Sequence, residues 1–287
     1  MGAKLALCFP VSRSPHPNLP PHAGEGARGA AAVFRSLAGL STDDMFKSPS
    51  SIARIGAWLW PPHCVLCGRL GQGSNIDLCA GCEADLPANK RRCVICALPF
   101  QGDAKAVQAC GVCLQRRPRF DASFIPFRYA YPLDHMIRRL KYGNAIAVGR
   151  VLGELFQRRL VMEPRGALPQ LLVPVPLAQR RYRERGYNQA IVLAEHIERG
   201  LEVAMRTDLL VRSRDTLEQA GLDQRARRKN IRGAFELRGA LTAKHVAVVD
   251  DVVTTGSTVN EIARVLKRGG AKRVEVWAIA RAARYGM

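Results

Sequence analysis

Two adjacent acids followed by a turn rich in hydroxyl groups are the residues of this sequence best suited to bind a small ligand. Asp250 and Asp251 come directly after a short apolar run, His245–Val249. The turn that follows contains Thr254, Thr255, Gly256, Ser257 and Thr258. Carboxylates accept hydrogen bonds from neighbouring hydroxyls, as on a ribose ring, and the turn offers hydroxyl donors with a glycine that lets the backbone come close. The pattern therefore predicts a site for a sugar that carries a phosphate.

The elements around this pattern can be predicted from its flanks. Val246–Val249 is short, apolar and β-branched, which is typical of a buried parallel strand that would place Val249 beside the ligand. Apolar residues recur at helical spacing from Val259 to Arg268, and Gly269-Gly270 would end that helix. The N-terminus of the helix would offer unpaired N–H groups to the phosphate, next to the turn.

The two adjacent negative charges of the acid pair need compensation. No basic residue adjoins Asp250 and Asp251 in the sequence, so we expect a metal ion or ligand hydroxyls to compensate their charge. A plain strand, turn and helix without a ligand is the alternative. It explains the apolar strand, but not why two acids precede the Thr-Thr-Gly-Ser-Thr run. This run resembles the phosphoribosyl pyrophosphate (PRPP) motif of type I phosphoribosyltransferases.

Eight of the nine cysteines form four Cys-x-x-Cys pairs. Each pair can bind a tetrahedral metal from one tight turn, and two pairs complete a closed site without an open coordination position. Without a signal-peptide pattern, a disulfide framework is the weaker interpretation. We predict two structural zinc ions and favour pairing of the first pair with the second and the third with the fourth, although a cross-brace stays open. The predicted ligands are Cys64, Cys67, Cys79, Cys82, Cys93, Cys96, Cys110 and Cys113.

The chain is strongly basic, with a net charge of +20. Such a surface attracts polyanions, either nucleic acid or phosphorylated small molecules, although a merely solvated surface is the alternative. A basic loop over 179–189 follows the predicted strand Leu171–Pro176. The basic segment 212–235 is predicted to be a mobile loop with a short helix, and a lid that closes over the site is one role for it. Candidate ligands for a pyrophosphate or a nucleic acid are Lys141, Arg180, Arg181, Arg183, Arg185, Asn188, Arg225, Arg228 and Arg232.

The chain divides into four predicted segments. Residues 1–44 are expected to be disordered, and a further hypothesis is that translation starts at Met45. A short helical lead-in over 45–63 and a cysteine-rich module over 64–118 precede an α/β domain over 119–287. In that domain we predict the strands Phe124–Tyr131 and Val274–Ala280 and the helices Leu133–Lys141, Ala147–Leu160 and Asn188–Arg199. Since no apolar run is long enough to cross a bilayer, we expect a cytoplasmic protein.

Residues 64–282 as a whole resemble the ComF family. The resemblance is carried by the four cysteine pairs, the acid pair with its turn, Val-Pro-Val-Pro-Leu at 173–177, Arg-Glu-Arg-Gly-Tyr-Asn-Gln at 183–189, Gln-Ala-Gly-Leu at 219–222 and the stretch 227–235. It implies a type I phosphoribosyltransferase fold, with a mainly parallel sheet flanked by helices, behind a double zinc ribbon. It also implies PRPP with Mg²⁺ as a ligand and single-stranded DNA, a DNA-uptake helicase and a recombinase-loading protein as partners.

Two functions are compatible with this resemblance. One is a PRPP-binding protein that acts on single-stranded DNA during natural transformation. The alternative is an active Mg²⁺-dependent phosphoribosyltransferase of nucleotide metabolism, similar to an amidophosphoribosyltransferase, with Asp250 and Asp251 as its catalytic residues. The sequence leaves open whether turnover occurs and which acceptor it would use.

Overall fold

The computed structural model describes residues 63–70, 76–100, 108–143, 145–163, 166–214 and 230–283. All of them belong to one compact unit, Pro61–Met287. Several predictions fall outside the described residues: disorder over 1–44, the possible start at Met45, and the lead-in up to residue 62. The same holds for most of the proposed lid, including Arg225 and Arg228.

The described elements run from the cysteine-rich module into the α/β domain. The helices are α1 (Ala80–Ala84), α2 (Gly111–Gln115), α3 (Leu133–Tyr142), α4 (Ile146–Met162), α5 (Gln179–Arg185), α6 (Gln189–Leu201) and α7 (Ser257–Arg268). The strands are β1 (Ala122–Phe124), β2 (Phe127–Arg128), β3 (Leu171–Pro174), β4 (Leu210–Arg212), β5 (Phe235–Leu237), β6 (His245–Val253) and β7 (Arg273–Arg281).

A five-stranded parallel sheet forms the centre of the domain. Its strands follow the order β1-β7-β6-β3, and β2 continues β1 along the same side of β7. Parallel pairing brings the carboxyl ends of β3, β6 and β7 to one edge of the sheet, where open α/β sheets bind their ligands. The strands β4 and β5 form a separate antiparallel pair. The predicted α/β fold with a mainly parallel sheet is confirmed.

Side chains alternate between the two faces of the sheet along each strand, so that a separate apolar core lies on each face. Ala247 and Val249 of β6 pack on the side of α3, α4 and α6. Val246 and Val248 pack on the opposite side, against α7. Because strand side chains alternate with a period of two, Asp251 projects towards the same face as Val249, and α3 covers that face.

Three predicted elements need correction. The strand before the turn continues through both acids to Val253, because it stays paired with β7 over its whole length. The segment Gln179–Arg185 is a short helix and not a loop, and its Arg180–Glu184 ion pair has the spacing that stabilises helices. The predicted strand Phe124–Tyr131 is interrupted at Ile125-Pro126 and forms β1 and β2.

The remaining predicted helices and strands are present with bounds shifted by at most two residues; the strand predicted over Leu171–Pro176 ends at Pro174. The helix after the turn begins two residues earlier than predicted, at Ser257, and ends before Gly269 as expected. In the part of the chain that the structure describes, no helix is long and apolar enough to cross a membrane.

Candidate functional site

The acid pair lies at the carboxyl end of β6 and has a basic partner. Nζ of Lys141, in the last turn of α3, is 2.6 Å from Oδ2 of Asp251. The expectation that the acids lack a basic partner needs correction, because α3 brings a lysine to Asp251 from elsewhere in the chain. Compensation of the acids by a metal ion or ligand hydroxyls stays a prediction. Backbone N–H groups also bind the carboxylates: Asp251 N donates to Oδ1 of Asp250, and Val252 N donates to Oδ1 of Asp251.

This arrangement moves the pKa values of the two acids in opposite directions. Desolvation raises the pKa of Asp250 well above its ordinary value, and the negative charge of Asp251 adds to the increase. Desolvation also acts to raise the pKa of Asp251, but the attraction of Lys141 and its hydrogen bond lower it below the ordinary value. Burial lowers the pKa of Lys141, but the charges of Asp251 and Asp250 raise it overall. The pair thus consists of one strongly ionised acid and one that holds its proton more readily.

The turn after β6 has the geometry of an anion cradle. Gly256 adopts φ of 76°, a left-handed conformation that side chains with a Cβ rarely adopt, and it is the N-cap of α7. Oγ1 of Thr255 donates to Oγ of Ser257 at 3.0 Å and accepts from Ser257 N at 3.3 Å. Thr254 is exposed, and Thr258 is half-buried in the first turn of α7. The N-terminus of a 12-residue helix therefore lies directly beyond the two acids.

The basic helix α5 follows β3 at the same edge of the sheet. Arg185 lies over the ring of Tyr142, with its Cζ atom 5.0 Å from the ring centroid, and its Nη1 donates to Oε1 of Gln189. Tyr142 is 76% exposed and Tyr182 is 52% exposed. Arg183 is also exposed, and Arg181 is half-buried. Tyr142 therefore contacts Arg185 of α5 and directly follows Lys141, the partner of Asp251, while Tyr182 is exposed on α5 itself. The sequence analysis did not single out these tyrosines.

Two further candidates have local structural contacts. Asn188 is buried and caps α6: its side-chain oxygen accepts from Ala190 N, and its Nδ2 donates to the Val175 carbonyl, both at 2.9 Å. Both of its polar atoms therefore already bind the backbone, and a role in binding pyrophosphate stays a prediction. Arg232 is exposed beside Gly233, whose N–H donates to Glu261 of α7.

The sequence analysis missed Arg281, the last residue of β7. Its side chain is buried at 1% exposure, and its guanidinium donates to the carbonyls of Val253 and Thr254 at the start of the turn. It also donates to the carbonyl of Cys96 at 2.9 Å. The available signal was a charged residue directly after the apolar run Val276–Ala280.

The eight paired cysteines form two clusters in the predicted sequential order, which excludes the cross-brace. Within each cluster the four Sγ atoms lie within 4.8 Å of one another. Four thiolates around zinc, at about 2.3 Å from the metal, have Sγ atoms about 3.8 Å apart. The Sγ atoms of Cys67 and Cys79 are 3.8 Å apart, and those of Cys96 and Cys110 are 3.7 Å apart. The donor sets therefore fit tetrahedral zinc, and the four-thiolate sites are structural.

The two zinc clusters are built on the same local backbone. In each, the first cysteine accepts a backbone hydrogen bond from the residue after the second: Gly68 N to Cys64 O, and Ala97 N to Cys93 O. Gly68 and Ala97 both adopt a positive φ. The second pair of each cluster begins at a helix N-cap, Cys79 for α1 and Cys110 for α2. His63, considered as a substitute ligand, belongs to neither cluster.

Comparisons with known proteins agree with both parts of this architecture. A model described as "Double zinc ribbon domain" matches residues 55–114, and one described as "Phosphoribosyl transferase domain" matches residues 188–286. "Competence protein F" of Haemophilus influenzae is 36% identical over 231 residues, which cover 77% of this chain and 97% of that protein. The chain belongs to the ComF family.

Other competence and DNA utilization proteins are similar over part or most of this chain. "DNA utilization protein YhgH" of Escherichia coli K12 is 34% identical over 224 residues, covering 77% of this chain and 97% of that protein. "Competence protein ComFC" of Streptococcus pneumoniae is 26% identical over 156 residues, covering 54% of this chain and 66% of that protein. The phosphoribosyl transferase match includes the acid pair, the turn and Arg281, whereas Lys141 lies before it.

Proposed function

We propose that this protein binds a phosphoribosyl ligand, PRPP with Mg²⁺, at the carboxyl edge of its sheet, and that it serves in the uptake or use of DNA. The binding of a phosphoribosyl ligand is supported by the order of three features along the chain. Two carboxylates at the end of β6 are followed by a left-handed Gly256 and then by the N-terminus of α7. Carboxylates suit the ribose hydroxyls, and a helix N-terminus suits the 5′-phosphate.

The charges around the acid pair support an anionic ligand. Lys141 neutralises Asp251, and Asp250 holds its proton more readily than an ordinary acid. The pair is therefore less repulsive to a pyrophosphate than two free carboxylates would be. Mg²⁺ prefers oxygen ligands, and together with substrate phosphates it supplies charge neutralisation of the pyrophosphate. Asp250 would offer its carboxylate oxygens to such an ion once it is ionised, and binding of the metal would release its proton.

The role in DNA uptake rests on the ComF relatives, whose names refer to competence and to DNA utilization. A specific feature of this chain favours single-stranded nucleic acid. The exposed rings of Tyr142 and Tyr182 lie among the arginines of α5, and proteins that bind single strands combine base stacking on aromatic rings with a basic path for phosphates. A DNA-uptake helicase and a recombinase-loading protein remain proposed partners.

Binding measurements on the wild type and the Asp250→Ala/Asp251→Ala double variant test both parts. We expect wild-type protein to bind PRPP in the presence of Mg²⁺ by calorimetry, and the double variant to lose that binding. Single-stranded oligothymidylate should bind both proteins, because the stacking surface lies on α3 and α5. Circular dichroism and zinc content of the double variant serve as folding controls.

Each outcome has a defined meaning. Wild-type protein that does not bind PRPP with Mg²⁺ would refute the phosphoribosyl proposal. DNA affinity that is insensitive to salt would contradict binding through the phosphate backbone. Release of pyrophosphate after addition of an amine or a nucleobase as acceptor would show an active transferase, because the acceptor must form the bond to C1 of the ribose as pyrophosphate leaves.

A further inference from the structure

The side chain of Arg281 connects the second zinc cluster to the turn that follows the acid pair. Its Nε donates to the carbonyl of Cys96 at 2.9 Å. Its Nη1 donates to the carbonyl of Val253 at 2.9 Å, to that of Thr254, and to that of Ala282 at 3.0 Å. One planar guanidinium thus binds backbone atoms of the metal module and of the candidate ligand turn at the same time.

The contact on the zinc side involves a metal ligand. Cys96 supplies one of the four thiols of the second cluster, together with Cys93, Cys110 and Cys113. A zinc ion bound by four thiolates keeps a net negative charge, which favours a buried cation beside it. Loss of the metal would loosen the Cys93–Cys96 turn, because the fully buried residues of the cluster around it are cysteines. The hydrogen bonds from Ser123 to the Ile95 carbonyl and from Asn89 to the Ala97 carbonyl do not involve the metal and would keep the turn attached to the domain.

The contact on the other side involves the backbone that sets the direction of the turn. Val253 is the last residue of β6 and pairs with Arg281 in the sheet. Its carbonyl and that of Thr254 are held just before Gly256, where the chain reverses into α7. Fixing these two carbonyls fixes the orientation of the peptide groups that lead into the N-terminus of the helix.

The first zinc cluster contacts a different element. Arg139 of α3 donates to the carbonyl of Val65, which lies between Cys64 and Cys67. Among the hydrogen bonds that the structure gives for the described part of this cluster, none goes to residues 253–258. The first cluster is therefore a natural control for the second.

We propose that Arg281 is a positioning residue that makes the order of the turn 253–258 depend on zinc in the second cluster. Its effect on PRPP affinity rests on the proposed function, whereas the coupling between metal and turn does not. The protein would then form a competent phosphoribosyl site only when its second zinc site is loaded.

Amide hydrogen exchange of the full chain, measured by mass spectrometry, tests this coupling without any ligand. Removal of the second zinc by Cys113→Ser should speed exchange of the turn amides by about tenfold or more, because hydrogen bonds to a charged group are lost. Removal of the first zinc by Cys67→Ser should leave exchange there unchanged. Zinc content, measured by inductively coupled plasma mass spectrometry, confirms which site each variant has lost.

The conservative variant Arg281→Lys separates coupling from simple structural damage. It keeps the positive charge but cannot bridge the Cys96 carbonyl to those of Val253 and Thr254. With both zinc ions retained, it should show the fast exchange of the Cys113→Ser variant, and adding Cys113→Ser to it should cause no further increase at the turn.

Arg281→Lys protein that retains both zinc ions and wild-type exchange at the turn would overturn the proposal. So would additive effects of the two substitutions. If Cys113→Ser unfolds the sheet, as faster exchange in β6 would reveal, titration with a zinc chelator replaces it: exchange at the turn should rise in the wild type and should not rise further in Arg281→Lys. Failure of PRPP to bind wild-type protein would refute the proposed function. It would not affect the proposed coupling, which is tested by amide exchange without any ligand.

Discussion

Lys141 of α3 and Asp251 of β6 form an ion pair with 2.6 Å between Nζ and Oδ2. Both side chains are largely buried, with 21% and 13% of their surface exposed. The pair fixes the last turn of α3 against the carboxyl end of the central strand. It also gives the two acids different protonation behaviour before any ligand arrives.

Replacement of Lys141 by Met should destabilise the protein, because it leaves a buried carboxylate without its cation. We expect the free energy of unfolding in urea to fall by about 2 kcal/mol at pH 7, since an unsatisfied buried charge costs at least this much. Arg138→Met is the matched control on the same helix. Its ion pair with Asp134 is exposed, and its loss should cost less than about 1 kcal/mol. Equal losses in the two variants would show that the Lys141–Asp251 pair has no special role.

The acid pair should give opposite contributions to the pH dependence of stability. The folded-state pKa of Asp250 is raised well above its unfolded value of 3.8, so its stabilising contribution is complete below 3.8 and is lost as the pH rises through the folded pKa. The pKa of Asp251 is lowered, so its contribution is present above 3.8 and is lost as the pH falls below that value.

Asp250→Asn should therefore become more stable than wild type as the pH rises above 3.8 towards neutrality. The difference in free energy of unfolding between Asp250→Asn and wild type should grow by at most about 1.4 kcal/mol per pH unit, until Asp250 is ionised in the folded wild-type protein. Urea unfolding of both proteins between about pH 4 and about pH 8 provides the measurement. Asp251→Asn should have the opposite effect at neutral pH, because Lys141 loses its partner. A constant difference between Asp250→Asn and wild type would contradict the raised pKa.

Tyr142→Ala should weaken binding of single-stranded DNA by about 1–3 kcal/mol, the range for loss of one base-stacking ring. Tyr142→Phe keeps the ring and should retain most of the affinity. Tyr131→Ala is the control, since Tyr131 is equally exposed but precedes the other end of α3. Fluorescence anisotropy with labelled oligothymidylate measures all three. The same loss in the Tyr131 and Tyr142 alanine variants would exclude a specific stacking surface.

Zinc removal should cause aggregation as well as loss of the cysteine-rich module. Residues before the second cluster cover the sheet edge: Asn89 N donates to the Pro126 carbonyl, and Arg128 N donates to the Pro87 carbonyl. Without metal, β1 and β2 would expose unpaired backbone groups to other chains. Light scattering during titration with a zinc chelator should rise, whereas chelator preloaded with zinc should have no effect. A metal-free protein that remains monomeric would contradict this account.

Local patterns were sufficient to predict most of the elements. The β-branched run before Asp250 and the helical spacing after Gly256 predicted β6 and α7, because both elements are buried on well-defined faces. The four Cys-x-x-Cys pairs predicted both metal clusters, since the ligands of each site lie close in sequence. The helix α5 was missed because its many charges are typical of loops, and its stabilising Arg180–Glu184 pair is only weakly informative.

Contacts between distant segments could not be predicted in the same way. Lys141 was a candidate anion ligand from its charge alone, and no local pattern connected it to Asp251. Arg281 meets Cys96 only because the metal module packs against the carboxyl end of β7. Such pairs depend on how helices and the module dock on the sheet, which a single sequence does not specify.

A crystal structure of the protein with PRPP and Mg²⁺ tests the phosphoribosyl site most directly. The account predicts the 5′-phosphate at the N–H groups of residues 255–258 and the ribose hydroxyls at the carboxylates of Asp250 and Asp251. Lys141 should keep its contact with Asp251 in that complex. PRPP bound elsewhere on the protein, or an empty turn at saturating PRPP, would contradict the account.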